Sequence, residues 1–375
     1  MIKICHIANH LTGKADGVYA HLKMIFQNSD NEKFQHYLIF QGKEKIENEL
    51  SELGIKYFVS ESLNNMISLK AFIDVYKFIK QNEISIIHAH LVKPYSIGGL
   101  VNIILRRKLI FNYHGLFIYN NIYNGILEKI IYGSIHYLIN LFKVVNIVLV
   151  PSKRSKKLLL SETKLFPEPL IYYNGFDSTK KKEIVNEQLL NRIKKIKEDE
   201  ILIAIVGRLE VDKRIDKAIN IFKKIISKNY KAHLLVIGDG KLETKLKNLA
   251  NELNLSQHIE FLGFVKNASD YFYLFDVILF TSDWEGMPVT IWEAMANKVP
   301  VVAPDVGGFK EILEENNCGL IYKPNDLNEA EIKLENLIED YALRKQLGEN
   351  GKRAIDEKFN VNNFIKQIDN IYLNL

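Results

Sequence analysis

Cysteine is nearly missing from this chain: two in 375 residues, Cys5 inside an apolar run and Cys318 beside a glycine. That excludes a disulfide framework or a cysteine zinc site and fits a reducing compartment. Nowhere does an Asp-x-Asp pair occur, so no obligatory divalent metal is expected. No apolar run reaches the roughly 20 residues of a membrane span. The most apolar stretch, Ile130–Phe142, is bounded by Glu128, Lys129 and Lys143 and reads as a buried or half-buried helix. The opening MIKICHIA is strand-like, so no leader peptide is expected. A GxGxxG fingerprint is absent, which disfavours a dinucleotide site. Neither a short-period repeat nor a nucleic-acid reader helix is visible, so no nucleic-acid partner is expected.

What is present is an ordinary globular composition, 47% apolar and 25% charged, with enough length for two domains. Charge divides unevenly. Residues 1–175 hold 21 Lys and Arg against 13 Asp and Glu, while the remainder holds 29 against 32. A basic first half suits anionic surfaces or acceptors, although a generally lysine-rich surface explains it equally well.

Short apolar runs alternate with helical periodicity twice over. The first series has strand candidates at Ile2–Ala8, His36–Phe40, Ile84–His88, Leu109–Asn112, Ile147–Val150 and Leu170–Tyr172, with helices such as Leu69–Ile79 and Ile122–Phe142 between them. A turn-like Asn174-Gly175 and a polar stretch carrying Lys180–Lys182 interrupt it. The second series runs Ile201–Val206, His233–Ile237, Ile259–Leu262, Val277–Phe280, Val299–Val302 and Gly319–Tyr322, then a helical stretch Leu327–Leu347. Buried strands separated by helices predict two parallel α/β sheets covered on both faces. The domains are expected at 1–175 and 176–355, with an amphipathic terminal helix at 356–375. In such sheets ligands sit outside the strand carboxyl ends, so a cleft between facing domains is the expected site.

The most informative stretch is Thr281–Val302. It leaves an apolar strand and enters a helix at Pro288, which suits a first helical position. Glu285 lies in the loop and Glu293 inside the helix, seven residues between them. Helical side chains lean toward the N-terminus, so Glu293 points back at whatever docks there. That helix end attracts phosphate. A sugar nucleotide satisfies both features, with a diphosphate for the helix end and hydroxyls for the carboxylates. A plainer reading makes Asp283 and Glu285 favourable charges at a helix start and Glu293 a solvated side chain.

In VGRLEVDKRID, Arg208 leaves a strand after Gly207 and Lys213 follows five residues later. Fixed cations there would neutralise a departing nucleoside diphosphate, Arg as a fork and Lys as a point charge. As surface cations beside Glu210 and Asp212 they would be ordinary ion pairs. Glycines around Lys14-Ala15-Asp16, ending in Gly17, could approach a phosphate or simply turn the chain. His88 and His90 end a strand; no nearby Cys or carboxylate completes a metal set. His114 also follows a strand and, on its own, reads as a hydrogen-bonded structural histidine. Gly238-Asp239-Gly240 reads as turn chemistry, and Gly307-Gly308 as packing at a helix start.

SDWEGMPVTIWEAMANKVPVVAPDVGG resembles the Glu-x7-Glu signature of retaining glycosyltransferases of family 4, and VGRLEVDK resembles that family's Gly-Arg-Leu…Lys motif, with Arg214 where a glycine often follows. The resemblance implies a GT-B fold of two Rossmann-like domains, an acceptor-binding first and a nucleotide-sugar-binding second, with the last helix crossing back to the first. It implies that Arg208 and Lys213 hold the diphosphate. Glu285, Gly286, Met287, Pro288 and Val289 would meet the donor sugar and phosphates, and Glu293 the ribose. Phe264 and Val265 would hold the base, Gly17 a phosphate, and His114 the donor–acceptor junction. Catalysis is expected from Arg208, Lys213, Glu285 and His114, without a metal or cofactor.

The expected reaction moves a hexose or N-acetylhexosamine from a nucleoside diphosphate sugar to an acceptor hydroxyl with retention, in bacterial surface polysaccharide or glycolipid synthesis. A UDP-sugar is the first choice of donor and a GDP-sugar the second. The acceptor would be a saccharide or lipid-linked saccharide, and the location cytoplasmic, with peripheral attachment at the membrane's inner face. Two rivals stand beside it: a sugar-nucleotide epimerase on the same fold, and a non-catalytic sugar-nucleotide-binding subunit.

Overall fold

The structure is a computed structural model that describes residues 1–9, 11, 17–42, 46–64, 68–114, 126–162, 167–178 and 186–375. The glycine loop before Gly17 and the basic run Lys180–Lys182 lie outside them. The chain divides into two compact units, Met1–Gly175 with Val361–Leu375, and Phe176–Asn360.

In the first unit, strands β1 (Ile2–Ala8), β2 (Phe34–Phe40), β3 (Lys56–Val59), β4 (Ile86–His90), β5 (Lys108–Asn112), β6 (Ile147–Val150) and β7 (Leu170–Ile171) form one parallel sheet in the order β3-β2-β1-β4-β5-β6-β7. Alternate residues of each strand face opposite layers. Cys5 and Ile7 join Ile87, Ala89 and the helix Val92–Leu105 on one side; Ile4 and Ala8 join Ile86, Ile110 and the helices Gly17–Asn28 and Val361–Leu373 on the other. Each fully buried Ile or Leu contributes about 1.5–3 kcal/mol. β4 lies two residues later than the apolar pattern predicts, so His88 sits mid-strand and His90 at its carboxyl end. β3 escapes the pattern because KYFV is a half-exposed edge strand whose apolar run is only three residues long.

The second unit has β8 (Ile201–Val206), β9 (Ala232–Ile237), β10 (Ile259–Gly263), β11 (Val277–Leu279), β12 (Val301–Pro304) and β13 (Gly319–Tyr322), parallel in the order β10-β9-β8-β11-β12-β13. The stretch Leu327–Leu347, expected as one helix, is two. Asp340 is extended at φ −100° and ψ 94°, and its carboxylate accepts the Leu343 N–H at 2.8 Å to cap the second. That helix runs to Glu357, so the terminal helix begins at Val361 rather than 356.

In each sheet the strand order reverses once, between β1 and β4 and between β8 and β11. Such a reversal parts the loops leaving two neighbouring strands and opens a crevice at their carboxyl ends.

Candidate functional site

The second unit's reversal point brings together Arg208, Lys213 and Glu285 of the residues singled out from the sequence. The loop leaving β8 carries Arg208 and a 3-10 turn, Val211–Lys213; the loop leaving β11 carries Glu285. Lys213 Nζ donates to Glu285 Oε1 at 2.7 Å, and the Ser282 hydroxyl donates to the same oxygen at 2.8 Å. Asp212 bridges the cations, 3.6 Å from Lys213 and 3.9 Å from Arg208. Exposure separates their roles. Arg208 is 57% exposed, Lys213 19% and Glu285 only 7%, so Arg208 can swing onto a ligand while the Lys213–Glu285 pair is held.

Further contacts stitch the two loops. The Asp283 N–H donates to the Asp212 carbonyl at 3.0 Å, and Thr281 Oγ1 donates to the carbonyls of Lys213 and Arg214 at 3.1 and 2.9 Å. Arg214 Nη1 reaches Asp283 at 3.0 Å while its other nitrogens grip Asp216 in a fork at 3.0 and 2.9 Å. Arg214 is left-handed, at φ 49° and ψ 44°. This is why a glycine suits the position, and the two carboxylates are what hold an arginine there. The Thr281 contacts and the Arg214–Asp283 pair were invisible in the sequence, because the partners are about 70 residues apart; Ser282 is only three residues from Glu285.

The helix Val289–Ala296 follows. Pro288 is its N-cap, extended at ψ 140°, rather than its first helical residue, and no side chain caps the end. Backbone N–H groups at such an end favour an anion. Met287 is buried; Gly286, Pro288 and Val289 are half-buried. The loop rests on Gly307, left-handed at φ +57°, where an added Cβ would lie 2.3 Å from the Glu285 carbonyl oxygen and 2.7 Å from that of Gly286. Gly307 therefore sets the height of the Glu285 loop. A similar close approach explains Gly238, whose Cβ would strike the Gly207 carbonyl at 1.9 Å; turn chemistry alone understates it.

Glu293 is half-buried on that helix and faces Ser269 and Asp270 of the segment Ala268–Leu274. Burial, reinforced by Asp270, pushes its carboxyl up to about 7, against the Ser269 hydrogen bond. Phe264 is exposed and Val265 half-exposed in the loop leaving β10, where the Gly263 carbonyl accepts from the Gly238 N–H at 2.8 Å. Gly17, in the first unit, is exposed at the start of its helix.

His114, also in the first unit, is partly exposed, and its Nε2 lies 2.9 Å from His90 Nδ1. Burial, then His21 and His88, depresses its basicity well below the usual histidine range. His88 is tied to the Tyr372 hydroxyl at 2.8 Å. The sequence offers His88 and His90 no nearby Cys or carboxylate, and the structure brings other histidines beside them instead: His6, His88 and His90 place ligand nitrogens within 4.8 Å of one another, as do His21, His90 and His114. β1 and helix Gly17–Asn28 deliver His6 and His21, which no local spacing announces.

Two family models cover the chain, Glycosyltransferase Family 4 over residues 21–180 and Glycosyl transferases group 1 over residues 186–354. The uncharacterized glycosyltransferase MJ1178 of Methanocaldococcus jannaschii is 30% identical over 329 residues, 83% of this chain and 84% of the relative. The chain belongs to the family 4, group 1 glycosyltransferases.

A second relative, the Escherichia coli UDP-Gal:alpha-D-GlcNAc-diphosphoundecaprenol alpha-1,3-galactosyltransferase, is 23% identical over 385 residues, 100% of this chain and 97% of the relative. Against three other curated relatives the match spans 66% or less of their length. Among solved structures, Anabaena Alr3699/HepE in complex with UDP superposes with a TM-score of 0.82 at 20% identity, over 100% of both chains. The fold is GT-B: two Rossmann-like parallel-sheet units, as in that structure.

Proposed function

We propose that this family 4 protein is a retaining, metal-independent glycosyltransferase that moves a hexose or N-acetylhexosamine from a nucleoside diphosphate sugar to an acceptor hydroxyl. The observation that carries this reading is the Lys213–Glu285 pair at the β8–β11 reversal, with exposed Arg208 earlier in the same loop as Lys213 and a helix end without a side-chain cap just after Glu285. Arg208 and Lys213 bind the diphosphate and neutralise charge as the glycosidic bond breaks, a stabilisation larger in the transition state than in the ground state. Glu285, released from Lys213 when phosphate takes its place, accepts from donor-sugar hydroxyls. Gly286 to Val289 offer backbone N–H groups to the phosphates, Pro288 excepted; Glu293 accepts from the ribose diol; Phe264 and Val265 flank the base. In the first unit, Gly17 approaches a phosphate and His114 hydrogen-bonds a substrate hydroxyl.

UDP-sugar is the preferred donor. Support comes from the UDP bound by Alr3699/HepE and the UDP-Gal named for the E. coli relative. That relative's acceptor supports a lipid-linked saccharide in surface polysaccharide synthesis. Among the described residues no helix is long and apolar enough to cross a membrane. Peripheral attachment at the inner face is supported by helix Ile126–Leu141 and the residue after it, where Ile130, Tyr137, Leu138, Leu141 and Phe142 are exposed. Arg106 lies 5.8 Å over the Phe142 ring and Lys143 follows it, so cations flank the apolar face. The test is the product of UDP-sugar turnover with a polyprenyl-diphosphate saccharide: an NMR-assigned α-linkage from an α-linked donor supports the reading, and a β-linkage or an epimerised donor defeats it.

A further inference from the structure

Six of the ten histidines, His6, His21, His36, His88, His90 and His114, gather in the first unit, and four of them form one unbroken line. His114 Nε2 lies 2.9 Å from His90 Nδ1, His90 Nε2 3.0 Å from His6 Nδ1, His6 Nε2 3.0 Å from His36 Nδ1, and His36 Nε2 2.9 Å from Ser29 Oγ. The Ser29 hydroxyl donates to Asp369 Oδ1 on the terminal helix at 3.4 Å. His6, His36 and His90 come from the neighbouring strands β1, β2 and β4, and each of these three spends both ring nitrogens on the line.

Burial depresses all four imidazoles, His36 to about 4, and repulsion from neighbouring histidines adds to it at His6, His90 and His114, so each carries a single ring proton at neutral pH. A neutral imidazole that donates from one nitrogen must accept at the other, and an ionised carboxylate only accepts. Asp369 thus takes the Ser29 proton, and Ser29 Oγ accepts from His36 Nε2–H. His36 Nδ1 then accepts from His6, His6 Nδ1 from His90, and His90 Nδ1 from His114. We infer that Asp369, acting through Ser29 and three histidines, fixes the tautomer of His114 so that its Nδ1 presents a lone pair. Asp369, Ser29, His36, His6 and His90 are positioning residues. What His114 Nδ1 meets rests on the function proposed above; the coupling itself does not.

His21 is a built-in control. Its Nδ1 donates to Asn174 Oδ1 at 2.9 Å and its Nε2 accepts from Asn112 Nδ2 at 3.3 Å, so it is held in the opposite tautomer. The competing arrangement is a divalent ion on His6, His88 and His90, whose ligand nitrogens are near enough and of which His88 Nε2 is buried without a partner among the described residues.

Long-range proton–nitrogen correlation on histidine-labelled full-length protein at pH 8 reads each tautomer. Nε2–H is expected at His6, His36, His90 and His114, with Nδ1–H at His21. Asp369→Lys puts a donor at the far end, and the four are expected to switch together to Nδ1–H while His21 stays. If that variant does not fold, Ser29→Ala removes only the anchoring hydroxyl, and His114 is then expected to lose its pure Nε2–H signature. Mixed tautomers in the unaltered protein, a switch at His36 that leaves His114 unmoved, or stoichiometric zinc retained on the three histidines would each overturn the inference. Coupled tautomers with unchanged donor turnover would uphold the line and refute the role given to His114.

Discussion

Lys213 and Glu285 hold each other, and this changes what a substitution at either must do. From the sequence, Lys213→Ala should abolish transfer with little effect on folding. The geometry revises that expectation: it strands a carboxylate that is 7% exposed, and breaking a buried pair costs about 3–5 kcal/mol, lessened here by the Ser282 donor. Chemical denaturation should show Lys213→Ala destabilised by about 2–4 kcal/mol, with Lys213→Ala/Glu285→Gln recovering most of the stability and none of the transfer. A wild-type-like Lys213→Ala midpoint would mean the pair is not formed.

Glu293 supplies a pH signature. Its carboxyl lies near 7 in the fold against 4.5 unperturbed, so the folded state favours the protonated form. That stabilisation is complete below about pH 4.5 and lost as pH rises through 7. Glu293→Gln should therefore flatten the stability profile between those limits, with a difference on the order of 1–3 kcal/mol for this half-buried group. Parallel profiles for the two proteins from pH 5 to 8 would refute the perturbed carboxyl.

At the scale of elements, the strands at the site were readable because each is a short apolar run followed by polar or glycine residues. Ile201–Val206 and Gly319–Tyr322 fall where the pattern puts them. The misreadings have local causes. Asp340 interrupts a periodic stretch through a cap that looks like an ordinary acidic surface residue, and Pro288 precedes the helix rather than opening it. Glu285, Lys213 and Arg208 were legible as residue types at a strand end. Their stitching by Thr281, Asp283 and Arg214 was not, because it depends on β11 lying beside β8. Gly307 tests the support of this loop: Gly307→Ala must either unbend from φ +57° or push the Glu285 carbonyl aside. It should cost about 1–3 kcal/mol by thermal unfolding and weaken nucleotide binding as well; unchanged binding would show that loop height is immaterial.

For the whole molecule, division into two parallel-sheet units followed from the repeated alternation and the polar break near Asn174-Gly175. The return of the last helix to the first unit came from the family resemblance, since periodicity says only that the helix is amphipathic. The basic balance of residues 1–175 becomes more specific once Arg106 and Lys143 are seen beside exposed Leu141 and Phe142. Each such cation near an anionic membrane contributes about 1 kcal/mol, so Arg106→Gln with Lys143→Gln should lower binding to phosphatidylglycerol vesicles roughly 30-fold at low salt. Equal sedimentation of variant and parent would remove this surface from the account.

Nucleotide binding by the second unit's site underlies every functional claim, and calorimetric titration of the full chain with UDP measures it directly. The account predicts saturable one-to-one binding without added metal, weakened at least tenfold by Arg208→Ala, whose exposed side chain contributes little to folding. Undetectable binding of UDP and GDP alike, or equal affinity in Arg208→Ala, would contradict it.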